Sequence, residues 1–210
     1  MNESPNHLGA RKEEVDALSL IYDELLIQED KISGALCIPV TLDKYILVEQ
    51  GAETSQYVRF LPGVIFHFSS GIGYPESEPP QIELHCSWVP GKYLRGIEER
   101  LRKIWDDSRE LCLYTMIDEV AEQGNSAFGL RGLNVPREIF QEIKLFSETE
   151  EKKRFVEGVY FCEICLENKK GVECFKLPLC EHIFCTVLPH PSVYLFSDNG
   201  YRIVSKNIIH

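Results

Sequence analysis

The sequence predicts an α+β fold in which helices flank an antiparallel sheet. Three observations predict it. Apolar residues recur with helical spacing near the amino terminus, β-rich runs broken by Gly, Pro and polar residues follow over residues 31–86, and helical spacing then returns. Because helical and strand patterns are segregated along the chain, an α+β layer arrangement is favoured over alternating βαβ units.

The first helix is predicted over about residues 9–27. Its apolar residues lie three or four positions apart among Glu, Asp and Lys, and they are Val15, Leu18, Tyr22, Leu25 and Leu26. This spacing places them on one face of an amphipathic helix.

Four β-rich runs come next, "ALCIPVTL", "KYILVEQ", "YVRFLPGVIFHFSS" and "PQIELHC". Gly, Pro and polar residues separate them, which is typical of strands joined by turns. We expect a four-stranded antiparallel meander.

Two runs with helical spacing follow, over residues 94–105 and 113–120. The segment "GNSAFGLRGLNVP", residues 124–136, interrupts this pattern with glycines, a proline and small polar residues, so it is interpreted as a linker. Another amphipathic stripe begins after it, at Ile139, Phe140, Ile143 and Phe146. We therefore assign residues 124–159 to a linker and a helix.

The segment "GYPESEPP" lies between the third and fourth β-rich runs. Its three prolines fix backbone angles and remove N–H donors, which predicts a rigid corner rather than a strand. The motif consists of Tyr74, Pro75, Pro79 and Pro80. A helix, four strands with this motif before the last of them, and further helices resemble an RWD domain over residues 9–123. RWD domains are similar in fold to ubiquitin-conjugating enzymes, lack their catalytic cysteine and act as protein-binding modules.

A catalytic alternative uses Cys86 as the nucleophile of a true conjugating enzyme. In "PQIELHC" Cys86 alternates in phase with Ile82 and Leu84, so it is expected on the buried face of a strand, where thiols are usually inert. His85 would point to the opposite face, and no His-Pro-Asn follows. Cys37 and Cys112 are interpreted as core residues.

Five cysteines and one histidine lie within residues 161–185, in a sequence that starts "FCEIC" and closes "CEHIFC". Cys162 and Cys165 form a Cys-x-x-Cys knuckle, and Cys180, His182 and Cys185 form a Cys-x-His-x-x-Cys group. Structural zinc takes four such nitrogen or sulfur ligands, so a zinc site is predicted. A thioredoxin-type redox motif is disfavoured because the βαβ context is missing.

The spacing resembles the first half of a RING finger. Together with the RWD domain it is similar to the RING-between-RING ubiquitin ligases of the RING finger protein 14 type. The resemblance implies one zinc on Cys162, Cys165, Cys185 and position 188, which is Leu, and a second on Cys180, His182 and later cysteines that are not in this sequence. We therefore expect residues 160–185 to form an incomplete RING. His190 and Cys174 are open alternatives for a missing ligand.

The remaining residues, 186–210, show no resemblance to the family. We interpret the chain as a truncated or alternatively spliced form, or an incomplete gene model, of a longer ligase. In the family the ubiquitin-carrying cysteine lies in a later RING, so no catalytic residue is assigned and catalysis by these residues alone is not expected.

The resemblance implies that Ile164, Leu177 and Pro178 contact a ubiquitin-conjugating enzyme, and that the RWD domain recruits a further protein ligand. A small hydrophobic cluster around the metal is an equal alternative for these three residues. A non-catalytic RWD adaptor is the competing function.

Charge and composition exclude several other classes. The formal net charge is −11, whereas nucleic-acid surfaces need clustered Lys and Arg. No apolar run approaches the roughly 20 residues that span a bilayer, and the polar amino terminus does not resemble a signal peptide. We expect no nucleic-acid or membrane partner and an intracellular location, in the cytoplasm or nucleus, where closely spaced cysteines bind metal rather than pair as disulfides.

Overall fold

A computed structural model describes residues 5–52, 54–177, 182–186, 193–197 and 200–204. The chain divides into two compact units, residues 1–148 and residues 149–210. None of the helices in the described ranges combines the length and apolar character needed to cross a membrane.

Unit 1 contains a sheet flanked by helices, which confirms the predicted α+β class. Its elements in chain order are α1 (Pro5–Ile21), β1 (Leu26–Ile27), β2 (Ser33–Gln50), β3 (Thr54–Ser69), β4 (Gln81–His85), α2 (Gly91–Ser108), α3 (Leu113–Asn125), β5 (Gly132–Asn134) and α4 (Arg137–Glu157), the last of which ends in unit 2.

The sheet has the order β1-β2-β3-β4 with antiparallel neighbours, and β5 pairs in parallel with β2. The first two predicted β-rich runs are one continuous strand, β2, which forms a long hairpin with β3. The register shifts between Ile38 and Val40 and again between Thr41 and Ile46, so the ladder is interrupted where the sequence pattern suggested a gap between strands.

One face of the sheet carries the core, because alternate residues of a strand point to the same side. α3 packs on β2 and β3, and α2 contacts β4 and α3. Most apolar residues of the two predicted helical runs are buried there, namely Leu94, Ile97, Leu101, Trp105, Leu113, Ile117 and Val120, and Ile104 is partly buried.

The proline-rich corner is fastened to two helices through Tyr74, whose side chain is fully buried. The Tyr74 hydroxyl donates to the Glu14 carboxylate of α1 at 3.1 Å and accepts the Cys112 N–H at 2.8 Å. Glu14 also accepts the Leu113 N–H at 2.8 Å, which caps the start of α3. The Trp105 indole donates to the Pro75 carbonyl at 2.6 Å. The motif therefore joins α1, α2 and α3.

The first helix is shorter than predicted. α1 ends at Ile21, and Leu26 and Ile27 form β1, which pairs with Ala35 and Gly34 of β2. Leu26 is 71% exposed, so it is not part of the buried helical face. A Cβ at Gly34 would lie 2.6 Å from the Leu26 carbonyl oxygen, which shows how closely the two strands approach.

Cys37 is not the core residue that the sequence predicted. Leu36 and Ile38 point into the core, and the intervening Cys37 is exposed on the opposite face of the sheet. Cys112 is buried as predicted.

Residues 124–136, interpreted as a linker, contribute structure to unit 1. Ala127 and Phe128 are buried in a short 3-10 helix, and residues 132–134 form β5 against β2. Phe140 and Ile143 of α4 belong to the same core. Short polar and glycine-rich sequence is compatible with these elements because only one or two residues of each are buried.

The described residues of unit 2 form the end of α4, a short 3-10 helix (Gly171–Glu173) and three two-stranded hairpins. They pair β6 (Val159–Cys162) with β7 (Glu167–Lys170), β8 (Cys174–Lys176) with β9 (Ile183–Cys185), and β10 (Val193–Ser197) with β11 (Gly200–Val204).

Candidate metal centre

Two hairpins bring three of the predicted zinc ligands together. Cys162 ends β6, and Cys165 lies in the turn that follows, which is closed by a 2.8 Å hydrogen bond from the Leu166 N–H to the Cys162 carbonyl. Cys185 ends β9. The three sulfurs all lie within 4.8 Å of one another. The fold therefore brings Cys185 to the Cys162–Cys165 pair, which lies 20 or more positions earlier in the sequence.

The spacing of these sulfurs fits a tetrahedral metal. A Zn–S bond of about 2.3 Å requires neighbouring sulfurs to be about 3.8 Å apart. The Cys165 and Cys185 sulfurs are 3.6 Å apart. Cys162 and Cys185 are almost fully buried, as ligands of a structural site are expected to be. The cluster could hold a zinc ion in thiolate coordination.

Hydrogen bonds from backbone N–H groups favour the thiolate form of Cys162. The Cys185 N–H donates to the Cys162 sulfur at 3.4 Å. Burial alone would raise the pKa of the Cys162 thiol, but hydrogen bonds from the N–H groups of residues 165, 185 and 164 outweigh it and lower the pKa to about 6. Burial, with the adjacent Cys165 and Cys162 sulfurs, raises the pKa of Cys185 to about 11. A cation would favour ionisation of both, because metal binding requires thiolates.

The other predicted ligands are not part of this group of three sulfurs. Cys180 and the alternative ligand His190 lie outside the described residues. His182 is exposed, and its ring stacks on Phe184 with 6.2 Å between centroids and 7° between planes. Cys174 is buried and lies directly opposite Cys185 in the β8–β9 ladder.

The residues predicted to bind a conjugating enzyme are only partly described. Ile164 is 48% exposed on the turn between Cys162 and Cys165, and Leu177 is half-buried. Pro178 lies outside the described residues. Sequence reasoning missed Phe161 and Leu166, which flank the knuckle and are also exposed. Their apolar character directly beside two cysteines was the available signal.

The structure disfavours Cys86 as a nucleophile. Cys86 is partly buried against the core, and burial raises the pKa of its thiol to about 11, which leaves little thiolate at neutral pH. His85 is exposed on the other face of β4, where its Nε2 lies 3.1 Å from Glu83 Oε1. The histidine therefore points away from the thiol that it would have to activate.

Comparison with known proteins places the first part of the chain in a known class. A family model described as "RWD domain" matches residues 10–123. Similar curated proteins are "E3 ubiquitin-protein ligase itt1" of Schizosaccharomyces pombe, 29% identical over 194 residues (87% of this chain, 44% of the relative), and "E3 ubiquitin-protein ligase RNF14" of Danio rerio, 20% identical over 222 residues (84% and 48%). The Homo sapiens protein of the same name is 21% identical over 236 residues (84% and 50%).

The chain spans about half the length of the curated relatives it matches. These matches cover more of the chain than residues 10–123, so the likeness to proteins named as ubiquitin ligases is not confined to the segment that the family model matches.

Proposed function

We propose that this chain, which belongs to the RWD domain family, provides the protein-binding arm and the first zinc-bearing segment of a ubiquitin ligase. In this function the RWD domain recruits a protein ligand, and the segment around Cys162 and Cys165 engages a ubiquitin-conjugating enzyme. Its place of action is the cytoplasm or the nucleus, where thiols stay reduced and available to zinc. The similarity to proteins named as E3 ubiquitin-protein ligases supports the ubiquitin-ligase class.

The observation that carries the proposal is the position of Ile164. It lies between two cysteines whose sulfurs converge with that of Cys185, yet its own side chain is 48% exposed. A metal bound by these sulfurs would fix the turn and hold the isoleucine toward solvent. An exposed apolar side chain on a rigid turn loses little conformational entropy on binding, so it suits a protein contact.

Two apolar residues close to Ile164 in the sequence are exposed as well. Phe161 is 55% exposed and Leu166 is 70% exposed. A pocket of about 270 Å³ lies beside Phe161 and is lined by Tyr160, Glu163, His182 and Ile183 as well. Exposed apolar side chains, one of which lines a pocket, provide the anchor and recess on which protein interfaces depend.

The experiment is a binding measurement between the zinc-loaded chain and a panel of purified ubiquitin-conjugating enzymes, by biolayer interferometry. Ile164→Ala should weaken binding at least about tenfold, which corresponds to about 1.4 kcal/mol, in the range of an interface anchor. Val172→Ala is the matched control, because Val172 is a 66% exposed apolar residue of the same unit outside the knuckle.

Two results would contradict the proposal. One is that no enzyme of the panel binds the zinc-loaded chain, which would favour the alternative of a non-catalytic RWD adaptor. The other is that Ile164→Ala and Val172→Ala have the same small effect.

A further inference from the structure

We infer that Cys174 is the fourth ligand of the metal centre, so that the site is formed by Cys162, Cys165, Cys174 and Cys185. This inference deepens the proposed function and rests on its zinc-bearing segment. The three converging sulfurs leave one tetrahedral position open. In the family pattern that position belongs to residue 188, which is Leu and offers no ligand atom.

The β8–β9 ladder places Cys174 beside an established member of the site. Cys174 and Cys185 are directly opposed in the antiparallel pair. The Thr186 N–H donates to the Glu173 carbonyl at 2.7 Å, one residue beyond the pair on each strand, which makes Cys174–Cys185 a non-hydrogen-bonded pair. At such positions the Cα atoms are about 4.5 Å apart and the side chains lie close together on the same face.

Burial supports the same assignment. Cys174, Cys162 and Cys185 form one buried cluster against which Cys165 packs. Cys174 is 9% exposed, so its thiol is enclosed with the other sulfurs and largely removed from water.

Of the other ligands predicted from the sequence, His182 is the one that lies among the described residues, and alternation places it on the wrong side of the strand. Side chains alternate along β9, so Cys185 shares a face with Ile183 and not with Phe184. The His182 ring is stacked on Phe184, away from Cys185, and it is exposed. The ladder therefore presents Cys174, and not His182, to the three sulfurs.

Ligation requires a small local adjustment. The Cys174 sulfur is not among the three that lie within 4.8 Å of one another. Rotation about χ1 moves a cysteine sulfur between staggered positions without moving the backbone, and the bond to the metal would select the rotamer that points toward the site.

The test is cobalt(II) substitution of the full chain under reducing conditions, with zinc affinity measured by competition. Thiolate-to-cobalt charge-transfer absorption grows with the number of bound thiolates. In Cys174→Ser this band should lose about a quarter of its intensity, and zinc affinity should fall at least about tenfold, since disturbing even a residue that only supports a ligand costs 10–100-fold. Cys37→Ser, at an exposed cysteine outside unit 2, should match the wild-type chain.

Two further variants separate ligation from packing. Cys174→His supplies a different ligand atom and should restore zinc affinity with three thiolates bound. Cys174→Val supplies only apolar volume and should bind no more tightly than Cys174→Ser. The inference is overturned if Cys174→Val keeps the wild-type cobalt spectrum and zinc affinity, or if Cys174→Ser does. It also fails, together with the proposed zinc-bearing segment, if the wild-type chain binds no cobalt. If the wild-type chain binds cobalt and Cys174→Ser has the same spectrum, the assignment of Cys174 is overturned but the proposed zinc-bearing segment is not.

Discussion

Replacing Tyr74 with phenylalanine should destabilise unit 1 by about 2–4 kcal/mol, because it removes hydrogen bonds while leaving the buried ring in place. The hydroxyl donates to the charged Glu14 carboxylate and accepts the buried Cys112 N–H. Loss of a hydrogen bond to a charged group costs about 1.5–3 kcal/mol, and a buried donor left without its acceptor costs about 1–3 kcal/mol. The expected loss is smaller than the sum of these two costs because the Glu14 carboxylate also interacts with the Cys112 N–H, so this donor keeps a partner when the Tyr74 hydroxyl is removed.

Urea unfolding followed by tryptophan fluorescence measures this change directly. Trp88 and Trp105 are both buried, and the Trp105 indole donates to Pro75 within the same corner. With a urea dependence of about 2 kcal/mol per molar, the unfolding midpoint should fall by about 1–2 M. Tyr57→Phe is the control, since Tyr57 is 66% exposed and its replacement should change stability by less than about 0.5 kcal/mol. Equal midpoints for the two variants would refute the assigned role of Tyr74.

Two further predictions follow from the thiols and from Glu14. Burial raises the pKa of Glu14, so its native carboxyl takes up a proton at a higher pH than the unfolded one. The free energy of unfolding of the wild type relative to Glu14→Gln should therefore increase as pH falls from 7 toward 4.5; a difference that does not change with pH would contradict this. Burial raises the pKa of the Cys37 thiol as well, but Cys37 is exposed, whereas burial raises the pKa of the Cys86 thiol to about 11; in native thiol labelling Cys37 should therefore react before Cys86. Mass spectrometry of peptides gives the order, and faster labelling of Cys86 would revive it as a nucleophile.

The helices after the sheet could be predicted from the sequence because each buries a regular apolar stripe. Leu94, Ile97 and Leu101 have the spacing of one helix face and are buried together. The end of α1 could not be predicted this way, because Leu25 and Leu26 continue the same spacing past the last helical residue. What decides the boundary is pairing of Leu26 with Ala35, a contact with a strand formed later in the chain.

Strand alternation predicted the side of Cys86 only in part, because β4 ends at His85 and Cys86 follows it partly buried against the core; the same alternation could have predicted Cys37. In "ALCIPV" the residues Leu36 and Ile38 are in phase with each other, and Cys37 is out of phase with both. Composition alone suggested a core position, since cysteine is often buried. The strand β5 could not be predicted, because it has three residues and its partner β2 lies more than 80 positions earlier.

The candidate metal centre was predicted in part. The cysteine spacing identified Cys162, Cys165 and Cys185, whose sulfurs the structure brings together.

The polar contacts of α1 in unit 1 were not predicted. Arg11 and Glu14 were missed, although both are polar residues on or beside the buried face of α1. Arg11 is 1% exposed and donates to the Ser70 carbonyl at 3.0 Å. A charged residue within an apolar stripe is the signal that would have found them.

The most direct test of the account is the number of zinc ions held by the intact chain, measured by native mass spectrometry after expression with zinc and again after chelation. At least one zinc should remain bound through purification, and a strong chelator should remove it, since Cys162, Cys165 and Cys185 have the geometry of a thiolate site. A chain that carries no zinc before chelation would contradict the metal centre, and with it the proposed conjugating-enzyme contact at Ile164.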